Sequence, residues 1–191
     1  MNDSSVRVRR WTEATQYADM WVDPADDPRA LDGPAPAGEL ATLLSFLANY
    51  RLTVRMKCEG LTPEQLATRS VPPSPMSLLG LVRHLAEVER DWLNRITDTE
   101  PPLPRLYGPK DADFDGAVPD PATVESAFAD LAREQAAVDA VLAEHGGDLG
   151  RLIGRERVAV RELMVHRIDE YARHSGHADL LRERVDGRVG Q

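Results

Sequence analysis

The residues of this chain most able to do chemistry are its five histidines, His84, His145, His166, His174 and His177, and the acids near them. Three of the five fall within one run, Val165-His166-Arg167-Ile168-Asp169-Glu170-Tyr171-Ala172-Arg173-His174-Ser175-Gly176-His177. On a helix advancing about 100° per residue, His166, His177, Glu170 and His174 share an arc of about 80°. Leu163 and Leu181 fall in the same arc, so these polar groups interleave with core positions. Glu170 and His174 are four residues apart, which sets them side by side where both can reach one ion. Imidazole and carboxylate are common ligands for zinc and iron, and imidazole also suits nickel. A third ligand must come from another element. His84 is the candidate, about 60° around its helix from the core residue Leu81. Glu87 is the expected partner for the nitrogen of His84 that faces away from the metal. His166 is expected to line the site or orient Glu170, and His177 is a further candidate ligand. The same groups also fit a bundle without metal, either as solvated ion pairs with Arg167 and Arg173 or with His84 hydrogen-bonded to Glu170. His145 precedes Gly146-Gly147 at a helix end, where an imidazolium suits the helix dipole, and carries no expected function.

The elements that must position these residues read as helices. Leu40, Leu43, Leu44, Leu47, Tyr50 and Val54 recur at three- and four-residue spacing and predict a helix over 37–58, with Gly60 just past its end. Pro63 opens a short helical turn. After the stiff connector Val71-Pro72-Pro73-Ser74-Pro75, a second long helix spans 76–96, capped by Ser74 or Ser77. Residues 121–145 and 156–184 give two more, closed by Gly146-Gly147 and by Asp186-Gly187. No strand pattern of useful length and no internal repeat is visible. The 97–120 segment is rich in Pro, Gly and Asp. It is long enough to cross between parallel neighbours, and a loop of this length is often functional. Its acids Asp111 and Asp113 lack calcium-loop spacing and read as solvated surface. Trp92, Tyr171 and this loop are candidates to shape a pocket. Residues 1–36 form an irregular N-terminal arm, broken by Asp23-Pro24-Ala25-Asp26-Asp27-Pro28 and Gly33-Pro34-Ala35-Pro36. Trp11, Tyr17, Met20 and Trp21 give the arm apolar groups that should pack on the bundle or on a partner subunit. The four-helix bundle is expected over 37–191.

Composition narrows the partners. Hydrophobic residues at 42% and charged residues at 29% suit a folded globular chain, and only 5% aromatics leaves a core of Leu, Val and Ala. A formal charge of −9 with no basic stripe argues against nucleic acid and against an anionic membrane surface. The sequence opens with Met1-Asn2-Asp3-Ser4, without the apolar stretch of a signal peptide, and no apolar run approaches about 18 residues, so the expected location is the cytoplasm. The one cysteine, Cys58, allows neither an internal disulfide nor a multi-thiolate zinc site, and reads as an inert structural thiol.

Two segments carry a family resemblance. Met76-Ser77-Leu78-Leu79-Gly80-Leu81-Val82-Arg83-His84-Leu85-Ala86-Glu87-Val88-Glu89-Arg90 resembles the second-helix signature of the DinB/YfiT-like metalloprotein superfamily. Leu163-Met164-Val165-His166, continuing through Arg173-His174-Ser175-Gly176-His177-Ala178-Asp179-Leu180-Leu181-Arg182-Glu183, resembles its last helix. More narrowly the pair resembles the actinobacterial mini-circle-protein-like branch, over roughly residues 37–187. The resemblance implies an all-α fold, a four-helix bundle with one long crossover. It implies a divalent metal, zinc, nickel or iron, held by His84, Glu170 and His174. The superfamily pattern has three histidines, and this chain departs from it at Glu170; the thiol-dependent maleylpyruvate isomerases of the same superfamily are similar in having His/Glu/His sites. The implied activity is a metal-dependent S-transferase or isomerase that uses a low-molecular-weight thiol such as mycothiol or bacillithiol on a small-molecule substrate, in a homodimer. A non-enzymatic bundle that binds a small ligand or dimerises is the alternative.

Overall fold

A computed structural model describes residues 8–30, 35–145 and 147–191. Four long helices dominate: α1 (Glu39–Cys58), α3 (Leu78–Ile96), α5 (Pro121–Ala143) and α6 (Val160–Asp186). Two short helices, α2 (Pro63–Ala67) and α4 (Ala112–Asp115), and a minimal hairpin, β1 (Leu152–Ile153) with β2 (Val158–Ala159), complete the chain. The all-α bundle expected from the sequence is the architecture observed.

Local chemistry sets the helix starts. Ser77 Oγ accepts the Gly80 N–H at 3.0 Å and opens α3. Asp120 accepts the Thr123 N–H at 2.9 Å, and Pro121 fills the first turn of α5. Gly187, at φ 84, closes α6 in the left-handed conformation that glycine adopts without strain. The expected start of the last helix at residue 156 is corrected to Val160. Residues 152–159 turn back on themselves instead, pairing Leu152 with Ala159 and Ile153 with Val158, and burying Ile153 and Val158 in the core. The helix end expected at Gly146-Gly147 moves to Ala143, and Gly146 itself lies outside the described residues, as do Met1 to Ser4 and Gly33-Pro34.

Side-chain partners give the directions. Arg161 meets Glu39 near the starts of α6 and α1, and Lys57 meets Asp179 near their ends, so these two helices run parallel. Leu78 to Leu85 share a core cluster with Ala127 and Leu131, while Trp92 and Ile96 share another with Val138, so α3 and α5 also run parallel. Residues 97–120 supply the crossover that this requires. His84 faces His174 and Trp92 faces His166, so α3 is antiparallel to α6. The arm packs on the bundle. Trp21 is 2% exposed, with the cations of Lys57 and Arg188 at 4.0 and 3.6 Å from its ring centre. Among the described residues, no helix is long and apolar enough to cross a membrane.

A buried ionic cluster ties the four long helices together. Glu89 of α3 and Arg167 of α6 are both fully buried. Arg167 donates to Glu89 at 3.0 and 3.1 Å and to Asp139 of α5 at 2.8 Å. Arg51 of α1 donates to Glu89 at 3.2 Å and to Asp139 at 2.7 Å. Tyr171 donates its hydroxyl to Glu89 at 3.0 Å; burial, with Glu89 beside it, pushes that phenol well above its ordinary pKa and keeps the proton in place. Removing one partner strands the rest in low dielectric. Arg167→Met is therefore expected to lower stability by about 3–5 kcal/mol, measured by equilibrium urea unfolding. A parent-like midpoint in that variant would show that the cluster does not hold the bundle.

Candidate metal centre

The antiparallel packing of α3 on α6 brings His84, Glu170 and His174 together. One ligand atom from each lies within 4.8 Å of the others. The His84 and His174 rings meet edge to face, with centroids 4.8 Å apart. His174 Nε2 stands 3.4 Å from Glu170 Oε2, the separation of two donors on a tetrahedral ion with bonds of about 2.1 Å. Donors sharing such an ion are at most about 4.2 Å apart, so the widest of these separations must close slightly on binding.

Each imidazole has its Nδ1 engaged elsewhere. His84 Nδ1 lies 2.9 Å from Asp113 Oδ2, and His174 Nδ1 lies 3.2 Å from His177 Nδ1. The Nε2 atoms are left as donors. Phe114 stacks on the His84 ring at 5.2 Å between centroids. Burial lowers the His174 pKa to about 4, with smaller contributions from His84, His177 and Arg173. At neutral pH this imidazole is uncharged, the form that binds a metal. The donor set thus fits a divalent ion in charge state and in chemical type.

The other expected residues are distributed differently. His177 touches His174 but stands outside the group of three. His166 lies one turn from Glu170, exposed, with its ring 5.5 Å from Trp92. Glu87 is corrected: it is buried and accepts the Tyr107 N–H at 2.8 Å with Arg105 at 3.8 Å, so its partners lie in the crossover loop and not at His84. The reading of the 111–113 acids as solvated surface is corrected at Asp113, which is 5% exposed and takes the place beside His84 expected of Glu87. Nothing local distinguishes Asp113 from Asp111 and Asp115; the only signal was a loop long enough to return over the second helix. His84 hydrogen-bonds Asp113 rather than Glu170, contrary to the arrangement expected of a metal-free bundle. Tyr171 belongs to the buried ionic cluster and is not among the residues lining the cavity beside Glu170. Cys58 is buried, and burial pushes its thiol up to about 12, so it stays protonated at neutral pH.

A cavity of about 460 Å³ opens beside the group, between the second half of α3, the first half of α6 and the hairpin. Trp92, His166 and Glu170 line it, with Asp91, Arg95 and Glu162 nearer the rim. Glu170 is therefore reachable from outside by a small molecule.

Fold and site together define an all-α protein of the DinB/YfiT-like superfamily. The mycothiol-S-transferase family matches residues 42–187, and the chain belongs to that family. The matched span includes His84, Asp113, Glu170, His174 and His177. Neither the curated proteins nor the solved structures contain a match to the chain.

His174 predicts a pH dependence. Its folded pKa is about 4, against 6.5 as its ordinary value. Between those values the unfolded chain holds the extra proton and the folded one does not, so stability falls as pH is lowered through the window. Urea midpoints measured in EDTA should drop from pH 7 to pH 5, and less steeply in His174→Gln. An equal drop in the variant would remove His174 as the source.

Proposed function

We propose that His84, Glu170 and His174 hold one divalent metal ion, and that the protein is a metal-dependent S-transferase using a low-molecular-weight thiol of the mycothiol type. The observation that carries this reading is the convergence of two imidazoles and a carboxylate from two helices, with the carboxylate, Glu170, also in the wall of an open cavity, in a mycothiol-S-transferase family member. Three protein ligands leave a position free for an exogenous group, as in catalytic rather than closed structural sites. A bound divalent ion supplies the lowering of a thiol's pKa, which makes thiolate available at neutral pH. The chain's own residues do the rest. His84 and His174 present Nε2 donors with their Nδ1 atoms held in place. Trp92 and His166 wall the cavity where the body of the thiol rests, and the rim carboxylates of Asp91 and Glu162 can accept hydrogen bonds from a polyhydroxylated ligand. His166 is the imidazole on that wall and the group suited to accept the proton that the thiol gives up on becoming thiolate, before its sulfur attacks carbon.

Protein purified without a histidine tag should carry near-stoichiometric metal by elemental analysis, lost in His84→Ala and in Glu170→Ala. Thiol transfer to a test electrophile should disappear with chelator. It should also fall more than about 100-fold in His84→Ala, beyond the usual cost of changing a residue outside the ligand set. A parent that stays empty after incubation with zinc, nickel and iron(II) sinks the proposal. Metal-dependent melting without turnover would instead favour a binding module, since any ligand selective for the native state raises its stability.

A further inference from the structure

We infer that the crossover loop is a working part of this centre: Asp113 positions His84, and Arg83 positions Asp113. The inference rests on the metal reading for its consequence, and on the hydrogen bonds of the loop for its geometry.

Asp113 has both oxygens assigned. Oδ1 accepts the Phe114 N–H at 3.1 Å, and Oδ2 faces His84 Nδ1 at 2.9 Å. The carboxylate is therefore fixed by its own turn before it reaches the imidazole. An imidazole that ligates through Nε2 must carry its proton on Nδ1, and an acceptor there sets both the tautomer and the ring angle. His84 is 26% exposed at its side chain, and the ring contacts with Phe114 and His174 leave the choice of tautomer to the partner of Nδ1.

Arg83 explains how the loop is held. Its residue is 8% exposed, yet among the described residues it has no carboxylate within salt-bridge reach. It donates instead to two backbone carbonyls, Asp113 O at 2.8 Å and Ala112 O at 3.0 Å, with its guanidinium 3.8 Å from the centre of the Tyr107 ring. Burying a cation without a counter-charge is costly, and the outcome here is a fixed 112–113 backbone. Two glycines make room for the loop against α3. A Cβ at Gly116 would meet Arg83 Nη2 at 2.5 Å, and one at Gly80 would meet Phe114 Cδ1 at 2.9 Å. Further back, Glu87 holds the Tyr107 N–H, and Asn94 exchanges two hydrogen bonds with Leu103. The loop is thus fastened along α3 from residue 103 to residue 116, and the contact of Asp113 with His84 falls within that fastened stretch.

The test uses the full chain and zinc, with two readouts: zinc affinity by chelator competition, and the His84 ring tautomer by nitrogen NMR in metal-free protein. Asp113→Ala should weaken zinc binding about 10- to 100-fold and release His84 to the Nε2–H tautomer. Asp113→Asn should weaken it less, because its amide oxygen can still accept. Arg83→Gln should act in the same direction with Asp113 intact. Asp115→Asn, an exposed acid of the same turn, should change neither readout, which separates a positioning role from loss of negative charge. Parent-like affinity and tautomer in Asp113→Ala would overturn the inference. If the parent binds no zinc, the metal reading fails, and the tautomer alone still decides whether Asp113 positions His84.

Discussion

Glu89 is a carboxylate with no access to water, and the bundle is arranged around that fact. Its two oxygens receive Arg167, Arg51 and Tyr171 from two other helices, and Asp139 on a fourth binds both arginines. A buried ion is tolerable only when its hydrogen-bonding capacity is met, so the sliding or rotation of any one helix is opposed by all the others. The cluster lies close to the candidate metal ligands in sequence. Glu89 follows His84 by five residues, and Tyr171 comes immediately after Glu170. The ionic cluster therefore fixes the register of α3 against α6, the same register that brings the His84 ring to 4.8 Å from His174.

That arrangement divides the site into a rigid half and an added half. Glu170 and His174 are one turn apart on one helix, and His84 is brought to them by core packing. Asp113 arrives separately, on a crossover that parallel neighbours need in any case. A topological necessity thus acquires a second use, as the segment that occupies the far nitrogen of His84. On the opposite side His177 does the equivalent for His174 from within α6.

What could be read from the sequence follows from how local each determinant is. The long helices have repeating apolar positions, and Ser77 and Gly187 mark two of their limits by chemistry confined to one turn. The pairing of Glu170 with His174 is likewise local, and His84 was found because its position borders an apolar stripe. The hairpin at 152–159 escaped, because two-residue strands have no period and their pairing is set by burial of Ile153 and Val158 against the end of the bundle. The role given to Glu87 failed because helix geometry says which edge a residue occupies, while the orientation of its carboxylate was decided by the Tyr107 N–H from a distant loop. Asp113 is hidden for the same reason, since its contacts are with Arg83 and His84, about thirty residues earlier.

The departure from three histidines at Glu170 has a consequence in charge. On the proposed reading, two neutral imidazoles and one carboxylate leave a divalent ion with one net positive charge, where three imidazoles would leave two. The His174 end of the group is buried, and an uncompensated charge there is costly. A thiolate entering beside a single net charge would give a neutral centre. With three imidazoles the same thiolate would still leave one positive charge, which needs a further anion or more water. On that reading Glu170 would match the burial around His174 to an anionic sulfur ligand, from the residue that also forms part of the cavity wall.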